Sequence, residues 1–361
     1  MSSPTYSITH FKELIEKYTT WSELRSYLES QNLLINFETD TETSRYCIIR
    51  YNKKVDKSIE IASTWKKWFR SVVWDTEINR PVCVAPKKAN EGEATTETTI
   101  GCRAEEYLDG FMINAWKDVS GTIQIATRSS IGATGRFHSR KPFSVLFKEA
   151  LGSKPIDACI EGEYTFTSFN VQHPENRIVS PVDTPCVWTI HTGFVQKDGT
   201  IVIYENHDLP KAVADPTWKN QGTIYKDGTG NRWRTRNPAY LMVKSLRGNE
   251  VRSDVRYVRL RQQRLIDTYV YYFPEEKEIF TKFEDCIQNI IQTLYTHYVD
   301  VHISKKEGVE IDQMYKPHIY ALHGYYLSTL REKGFFIRKK EVKDYVDKLP
   351  WQRLVFLLTR A

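Results

Sequence analysis

Residues 164–179 read YTFTSFNVQHPENRIV, and this stretch decides the fold class. YTFTSFNVQ (164–172) is rich in aromatic and β-branched residues and reads as a strand. Pro174 then fixes the chain and ends it. Downstream, CVWTIHTGFV (186–195), TIVIYEN (200–206) and GTIYKD (222–227) read as further strands. Upstream, FSVLFKEAL (143–151) reads as a helix. Before it come TIQIATRS (122–129), FMINAWKD (111–118) and CRAEEYLDG (102–110), with turns at Asp109-Gly110 and Ser120-Gly121. RSVVWD (70–75) and RPVCVAP (80–86) read as a strand pair joined at TEIN, preceded by SRYCIIRYN (44–52). Residues 90–99, NEGEATTETT, read as a polar loop. Many short strands with few inserted helices predict an α+β domain with antiparallel sheets.

Both ends of the chain read differently. Residues 9–31 predict two short helices, with Thr20 and Ser22 near Glu23 marking a helix start. After about residue 255 the pattern turns helical. In 279–299, apolar residues recur at 279, 280, 283, 287, 290, 291, 294 and 298, close to a helical period. Residues 318–334 and the segment from Lys340 onward follow suit, and Phe273-Pro274 marks a plausible boundary. The expected division is a sheet-rich domain over 1–270, including the helical segment 9–31, and an all-α domain over 271–361.

A length of 361 residues suits two domains. With 40% hydrophobic and 27% charged residues, composition excludes a largely disordered chain. No stretch approaches the ~18 apolar residues of a membrane span, and the N-terminus lacks the apolar core of a secretory signal. The six cysteines fall in no CxxC or Cys/His pattern, which argues against a disulfide framework and a zinc site. The expected setting is reducing, intracellular and cytoplasmic. The net charge of +6 is unevenly placed: Arg232 to Arg264 holds nine Arg and one Lys against Glu250 and Asp254. That segment carries +8 and leaves −2 for the rest, the footprint of a polyanion binder or of a solvated helix face.

Several of these pieces together carry a resemblance. EYLDGFMI (106–113), ATRSSIGA (126–133), YTFTSFNVQHPENRIV (164–179), QGTIYKDG (221–228) and RTRNPAYLMVKSLRGN (234–249) stand in one order. That order and spacing resemble the RNA ligases of the covalent nucleotidyltransferase superfamily, most of all the phage and large-DNA-virus type. The similarity covers roughly residues 45–250. It implies a nucleotidyltransferase domain with an ATP-grasp-like antiparallel sheet, and a pocket between the sheets. It implies ATP, or GTP, with Mg²⁺ as cofactors, and a nucleotide and RNA as partners. In the family, the lysine of a Lys-x-Asp-Gly motif attacks the α-phosphate. The nucleotide then passes to an RNA 5′-phosphate, and a 3′-hydroxyl closes the bond. A lysine kept partly neutral, carboxylates for a divalent metal, and cations for the triphosphate all serve that chemistry.

The sequence departs from the family at those places. Aligning Asp109-Gly110 puts Tyr107 at the nucleophile position. Asn170 stands where the third motif offers a Glu, and Gln221 stands where the fourth motif begins with one. Lys-x-Lys of the fifth motif reads Arg234-Thr235-Arg236, with Lys244 beyond. The nucleophile and two acids are gone while the positive charge stays. One reading is a nucleotide- and RNA-binding protein without lysine adenylylation, a possible pseudoenzyme. The alternative is an active ATP-dependent RNA ligase or other nucleotidyltransferase with a relocated nucleophile, for which Lys87, Lys88, Lys117, Lys226 and Lys244 are candidates. A third is a structural echo alone.

The candidate pocket therefore comprises Tyr107, Asp109, Gly110, Arg128, Asn170, Gln221, Arg234, Arg236 and Lys244. Arg128 is expected to contact phosphate or ribose, and Arg234, Arg236 and Lys244 phosphate. Asp109-Gly110 also reads as a hairpin turn. Glu175, Asn176 and Arg177 read as a turn with an internal ion pair. His173 and His191, without metal-ligating company, read as structural, and no metal ligand set is predicted. Arg252, Arg256 and Arg259, at i, i+4 and i+7, form one helical face that could track an RNA backbone. Tyr269, Tyr271, Tyr272 and Phe273 read as packing residues.

Overall fold

The computed structural model describes residues 4–38, 44–55, 64–91, 99–118, 120–156 and 165–360. The chain divides into two compact units, Met1–Lys244 and Ser245–Ala361. In chain order the first holds β1 (Tyr6–Ile8), α1 (His10–Lys17), α2 (Trp21–Ser30), β2 (Leu34–Phe37), β3 (Tyr46–Arg50), β4 (Val72–Asp75), β5 (Arg80–Val84), β6 (Asn90–Glu91), β7 (Arg103–Glu106), β8 (Phe111–Lys117) and β9 (Ile123–Ala126). It continues with α3 (Phe143–Leu151), β10 (Thr165–Gln172), β11 (Cys186–Val195), β12 (Ile201–Glu205), β13 (Gly222–Lys226) and β14 (Arg232–Arg236). Helix α4 (Pro238–Arg247) spans the division.

Among the described residues, three sheets make up the first unit, with strand orders β1-β12-β11-β10-β8-β9, β6-β14-β13-β7 and β2-β3-β4-β5. All pairings are antiparallel except the short parallel one between β14 and β6. The protein is thus α+β with antiparallel sheets and a helical C-terminal region, as the strand pattern predicts. The expected helix start is a capping box: the Glu23 amide donates to the Thr20 hydroxyl, and the Glu23 carboxylate accepts from the Thr20 amide. It aims α2 so that Leu24 and Leu28 join Phe11, Ile48 and Trp74 in a fully buried core against the β2–β5 sheet. The TEIN turn between β4 and β5 closes on Asn79 at φ 50°, whose side chain accepts from the Trp74 indole at 3.2 Å. Most of the polar run expected over 90–99 lies outside the described residues.

Asp109-Gly110 is not a hairpin. β7 and β8 belong to different sheets, so residues 107–110 form the corner where the chain crosses between them. The hairpin reading failed because the dipeptide signals a turn without saying which strands will pair.

The second unit contains α5 (Ser253–Gln262), α6 (Ile266–Tyr272), α7 (Lys277–Tyr298), α8 (Lys316–Tyr325), α9 (Lys339–Asp347) and α10 (Trp351–Leu358). The division falls earlier than the expected residue 270. Val255, Tyr257, Val258 and Leu260 of α5 are buried, and α10 packs on both α5 and α7. Tyr269 stacks on Phe273 and Phe280, which places Phe273-Pro274 inside the helical unit rather than at its edge. The apolar period read over 279–299 is the buried stripe of α7, which includes Phe280, Ile287, Ile290, Ile291 and Leu294.

Candidate functional site

A cavity of about 480 Å³ opens in the first unit between the β8/β10/β11 face of the six-stranded sheet and β7/β13/β14. Among the described residues, seven cationic side chains line it: Lys53, Arg70, Lys88, Arg128, Arg232, Arg234 and Arg236. Of the described carboxylates, Glu105 and Glu106 share the wall. Tyr51, Tyr107, Leu108, Met112, Ile190, Leu209 and Ile224 supply its less polar surface.

The charge concentration follows from strand geometry. β14 pairs with β13 over Gly222–Lys226, and side chains alternate across a strand. Arg232, Arg234 and Arg236 at i, i+2 and i+4 therefore share one face, and all three reach the cavity. Motif reading named Arg234 and Arg236 but missed Arg232, although the two-residue period was there to find it. Arg232 is 8% exposed. Its Nε and Nη1 are buried with no hydrogen-bond partner among the described residues. Lys53 and Arg70 were also missed. They come from loops after β3 and before β4, and no local pattern points them here.

Crowding shows in the titration of these groups. Lys53 is pulled down to about 8, first by burial and then by the charges of Arg128, Arg70, Lys88 and Arg234. Burial and then Arg236 and Arg70 lower Arg234 to about 10. Arg70 and Lys88 are lowered too, by burial and then by Arg232 and Arg234 respectively. At an effective dielectric near 20, two like charges ~6 Å apart repel by about 3 kcal/mol. An anion placed among such cations relieves that repulsion.

Of the expected pocket residues, Tyr107, Arg128, Asn170, Arg234 and Arg236 line the cavity; Asp109, Gly110, Gln221 and Lys244 do not. Arg234 Nη1 donates to the Tyr107 hydroxyl at 3.1 Å, with the guanidinium 6.0 Å from the ring centre. Asn170 pairs with Met112 across β10 and β8, and both face the cavity. The Asn170 Oδ1 is buried with no hydrogen-bond partner among the described residues. Asp109 is turned away: its Oδ2 accepts from the Val179 and Ser180 amides, both at 2.9 Å, and its carbonyl accepts from Gln172. It thus ties the 107–110 corner to the end of the HPENRIV segment. Gly110 sits so close to β10 that a Cβ would lie 2.5 Å from Asn170 Oδ1 and from the Val171 carbonyl. Gln221 is buried, and its carbonyl accepts the Asn237 amide. Lys244 lies over the Tyr240 ring at 5.8 Å.

The proposed substitute amines separate clearly. Lys226 is buried and held at 2.6 Å by both Glu105 and Glu205. Lys87 donates to Asn231 at 2.9 Å and lies 4.7 Å over Trp68. Neither lines the cavity, nor do Lys117 and Lys244. Among the described residues, Lys88 and the unexpected Lys53 are the amines that do.

Divalent metal fits poorly here. Mg²⁺ takes oxygen ligands, commonly one or two carboxylates together with substrate phosphates. Lys226 and Arg103 already engage Glu105, at 2.6 and 3.1 Å. Among the described residues that line the cavity, that leaves Glu106, whose carboxyl is pushed up by burial and by Asp215.

His173 has more company than the sequence suggested. Its Nε2 lies 3.0 Å from Glu149, its Nδ1 accepts the Glu175 amide, and ligand atoms of the three residues fall within 4.8 Å of one another. Lys141 already sits there, 2.9 Å from Glu149 and 2.6 Å from Glu175, so Glu175 of the PENR turn pairs with Lys141. His191 is buried, with Nε2 against the Val84 carbonyl at 3.0 Å.

In the helical unit the arginine face breaks up. Arg256 is 5% exposed and donates to both Glu276 oxygens at 2.7 Å and to the Glu250 carbonyl, so it cannot reach an RNA backbone. The helical period placed it correctly on a face, but that face is the packed one. Arg252 is exposed and pairs with Asp254, and Arg259 is exposed and lies 4.4 Å over Trp351.

No family model matches the chain, and no curated protein matches it in sequence. Among solved structures, an archaeal ATP-dependent RNA ligase is similar at 11% identity over 76% of this chain and 74% of that one, with a TM-score of 0.38. A likeness that slight carries no argument for function. Among the described residues, no helix is long and apolar enough to cross a membrane.

Proposed function

We propose that the first unit is an RNA-ligase-like nucleotidyltransferase domain that binds a nucleotide and an RNA end but does not adenylylate a lysine in its first motif. The observation that carries this reading is the pair Tyr107–Arg234. The residue at the nucleophile position is a phenol hydrogen-bonded by a guanidinium, inside a cavity with seven cationic side chains. A phenol is not the amine nucleophile that lysine adenylylation requires. Arg128, Arg232, Arg234 and Arg236 suit phosphate oxygens as planar donors. The reading places the protein in a reducing, cytoplasmic setting, which six cysteines scattered without a CxxC pattern suit.

Lys53 favours a second reading. Its lowered proton affinity is what an amine nucleophile needs, and it lines the same cavity. Incubation with α-labelled ATP or GTP and Mg²⁺ or Mn²⁺, followed by denaturation, separates the two. The binding reading expects no covalent label and a direct affinity for nucleotide and RNA that falls steeply with salt. A labelled band mapping to Lys53 or Lys88 would establish the second reading instead.

A further inference from the structure

We infer that the cavity takes its polyphosphate as the bare anion, with its own guanidinium and ammonium groups standing where a divalent metal would. This rests on the nucleotide-binding reading above and specifies its ligand: a metal-free nucleoside triphosphate.

The acids are the first part of the argument. A metal bridging phosphates needs carboxylate or water oxygens fixed beside them. Glu105 is committed to Lys226 and Arg103. The Asp109 oxygen Oδ2 is committed to two backbone amides. Asn170 offers a neutral oxygen, and Gln221 does not reach the cavity. Among the described residues that line the cavity, Glu106 is the carboxylate that remains, facing seven cationic side chains that repel a dication.

The donors are the second part. Arg232 is more than nine-tenths buried and lines the cavity with two N–H positions lacking a partner among the described residues. Buried guanidinium donors without acceptors are costly, and a phosphate group satisfies them with charge-assisted bonds. The Asn170 oxygen in the same cavity, without a partner among the described residues, is an acceptor, suited to a hydroxyl or amino donor of the nucleoside. A triphosphate with an attached nucleoside matches both.

The test is calorimetric titration of the full chain with ATP in EDTA and in excess MgCl₂ at matched ionic strength, with inorganic tripolyphosphate as a second probe. ATP is expected to bind in EDTA and about tenfold more weakly in Mg²⁺, because the metal neutralises charge the arginines recognise. Glu106→Gln is expected to tighten binding in EDTA by about threefold by removing a negative charge. ATP binding seen in Mg²⁺ alone, or abolished by Glu106→Gln, would overturn this inference and leave the nucleotide-binding reading standing. ATP binding in neither buffer would overturn both, unless tripolyphosphate binds in EDTA, which would keep the metal-free anion site and remove only the nucleoside.

Discussion

The guanidinium of Arg234 donates to the hydroxyl of Tyr107 at 3.1 Å, joining the corner between two sheets to the arginine-bearing strand. The bond spans the cavity wall where the family resemblance would place a nucleophilic amine. On the proposed reading, placing an amine at this position is not enough. Tyr107→Lys brings a cation beside Arg234 and supplies no carboxylate for a metal. The expected outcome is no nucleotide adduct by intact mass after incubation with ATP and Mn²⁺. Arg234→Ala removes a charged donor and should weaken ATP binding about tenfold or more. An adduct on the single Tyr107→Lys variant would show that the remaining site still supports the transfer.

Lys53 gives the cavity a pH dependence. Its ammonium titrates at about 8, below its ordinary value, through burial and neighbouring cations. Below that pH it is charged and attracts phosphate; as pH rises through it, the charge is lost. Bound anion draws the proton back, so binding takes up a proton near pH 8 to 9. Nucleotide affinity should fall by roughly threefold to tenfold between pH 7 and pH 9. Lys53→Arg keeps the charge throughout and should flatten the profile in the same calorimetric series. An equally steep profile in the variant would transfer the effect to Lys88.

Gly110 is a packing requirement rather than a hairpin preference. A Cβ there would lie 2.5 Å from both Asn170 Oδ1 and the Val171 carbonyl. Gly110→Ala should cost about 1–3 kcal/mol by forcing β10 and the corner apart. Asn170→Ala in the same chain relieves one contact but leaves the Val171 backbone, so rescue should be partial in urea unfolding. Full rescue would mean that only the side-chain contact matters.

These cases show what the sequence could and could not disclose. Strands, helices and the Thr20–Glu23 cap are local patterns, and each is found in the structure. Arg234 and Arg236 were legible from their motif, and Arg232 from its two-residue spacing. Lys53 and Arg70 were not, because loops bring them in from other parts of the chain without a periodicity. Asp109 was misjudged as a pocket residue since its carboxylate is claimed by amides 70 residues away in sequence, Val179 among them. The failure at Arg256 is of the same kind. A helical period reports which residues share a face, and only packing says whether that face meets water.

Arg256 is an internal cross-brace of the helical unit. It donates to both Glu276 oxygens at 2.7 Å and closes the Glu250 carbonyl, with its own side chain 6% exposed. Arg256→Ala leaves Glu276 without this partner in a poorly solvated position and should cost about 3 kcal/mol. Arg252→Ala removes an exposed pair with Asp254 and should cost under about 1 kcal/mol. If RNA binds this unit, Arg252 and Arg259 rather than Arg256 should carry its salt dependence. Chemical denaturation of the full-length variants, paired with RNA titrations, checks both statements.

His191 sets an acid limit on the sheet domain. Burial lowers its imidazole to about 4 in the folded protein, against an ordinary value of 6.5. The folded state keeps it neutral, with Nε2 donating to the Val84 carbonyl. The unfolded chain protonates it below about pH 6.5, so between that value and 4 the unfolded state holds more protons. Its contribution is thus fully present above pH 6.5 and is lost as pH falls, by about 1.4 kcal/mol per unit. Between pH 6.5 and 5 the chain should lose roughly 2 kcal/mol of stability from this group. His191→Gln retains a donor for Val84 without a titrating ring. Its urea midpoint should change less over the same interval, and parallel loss in both proteins would place the acid sensitivity elsewhere.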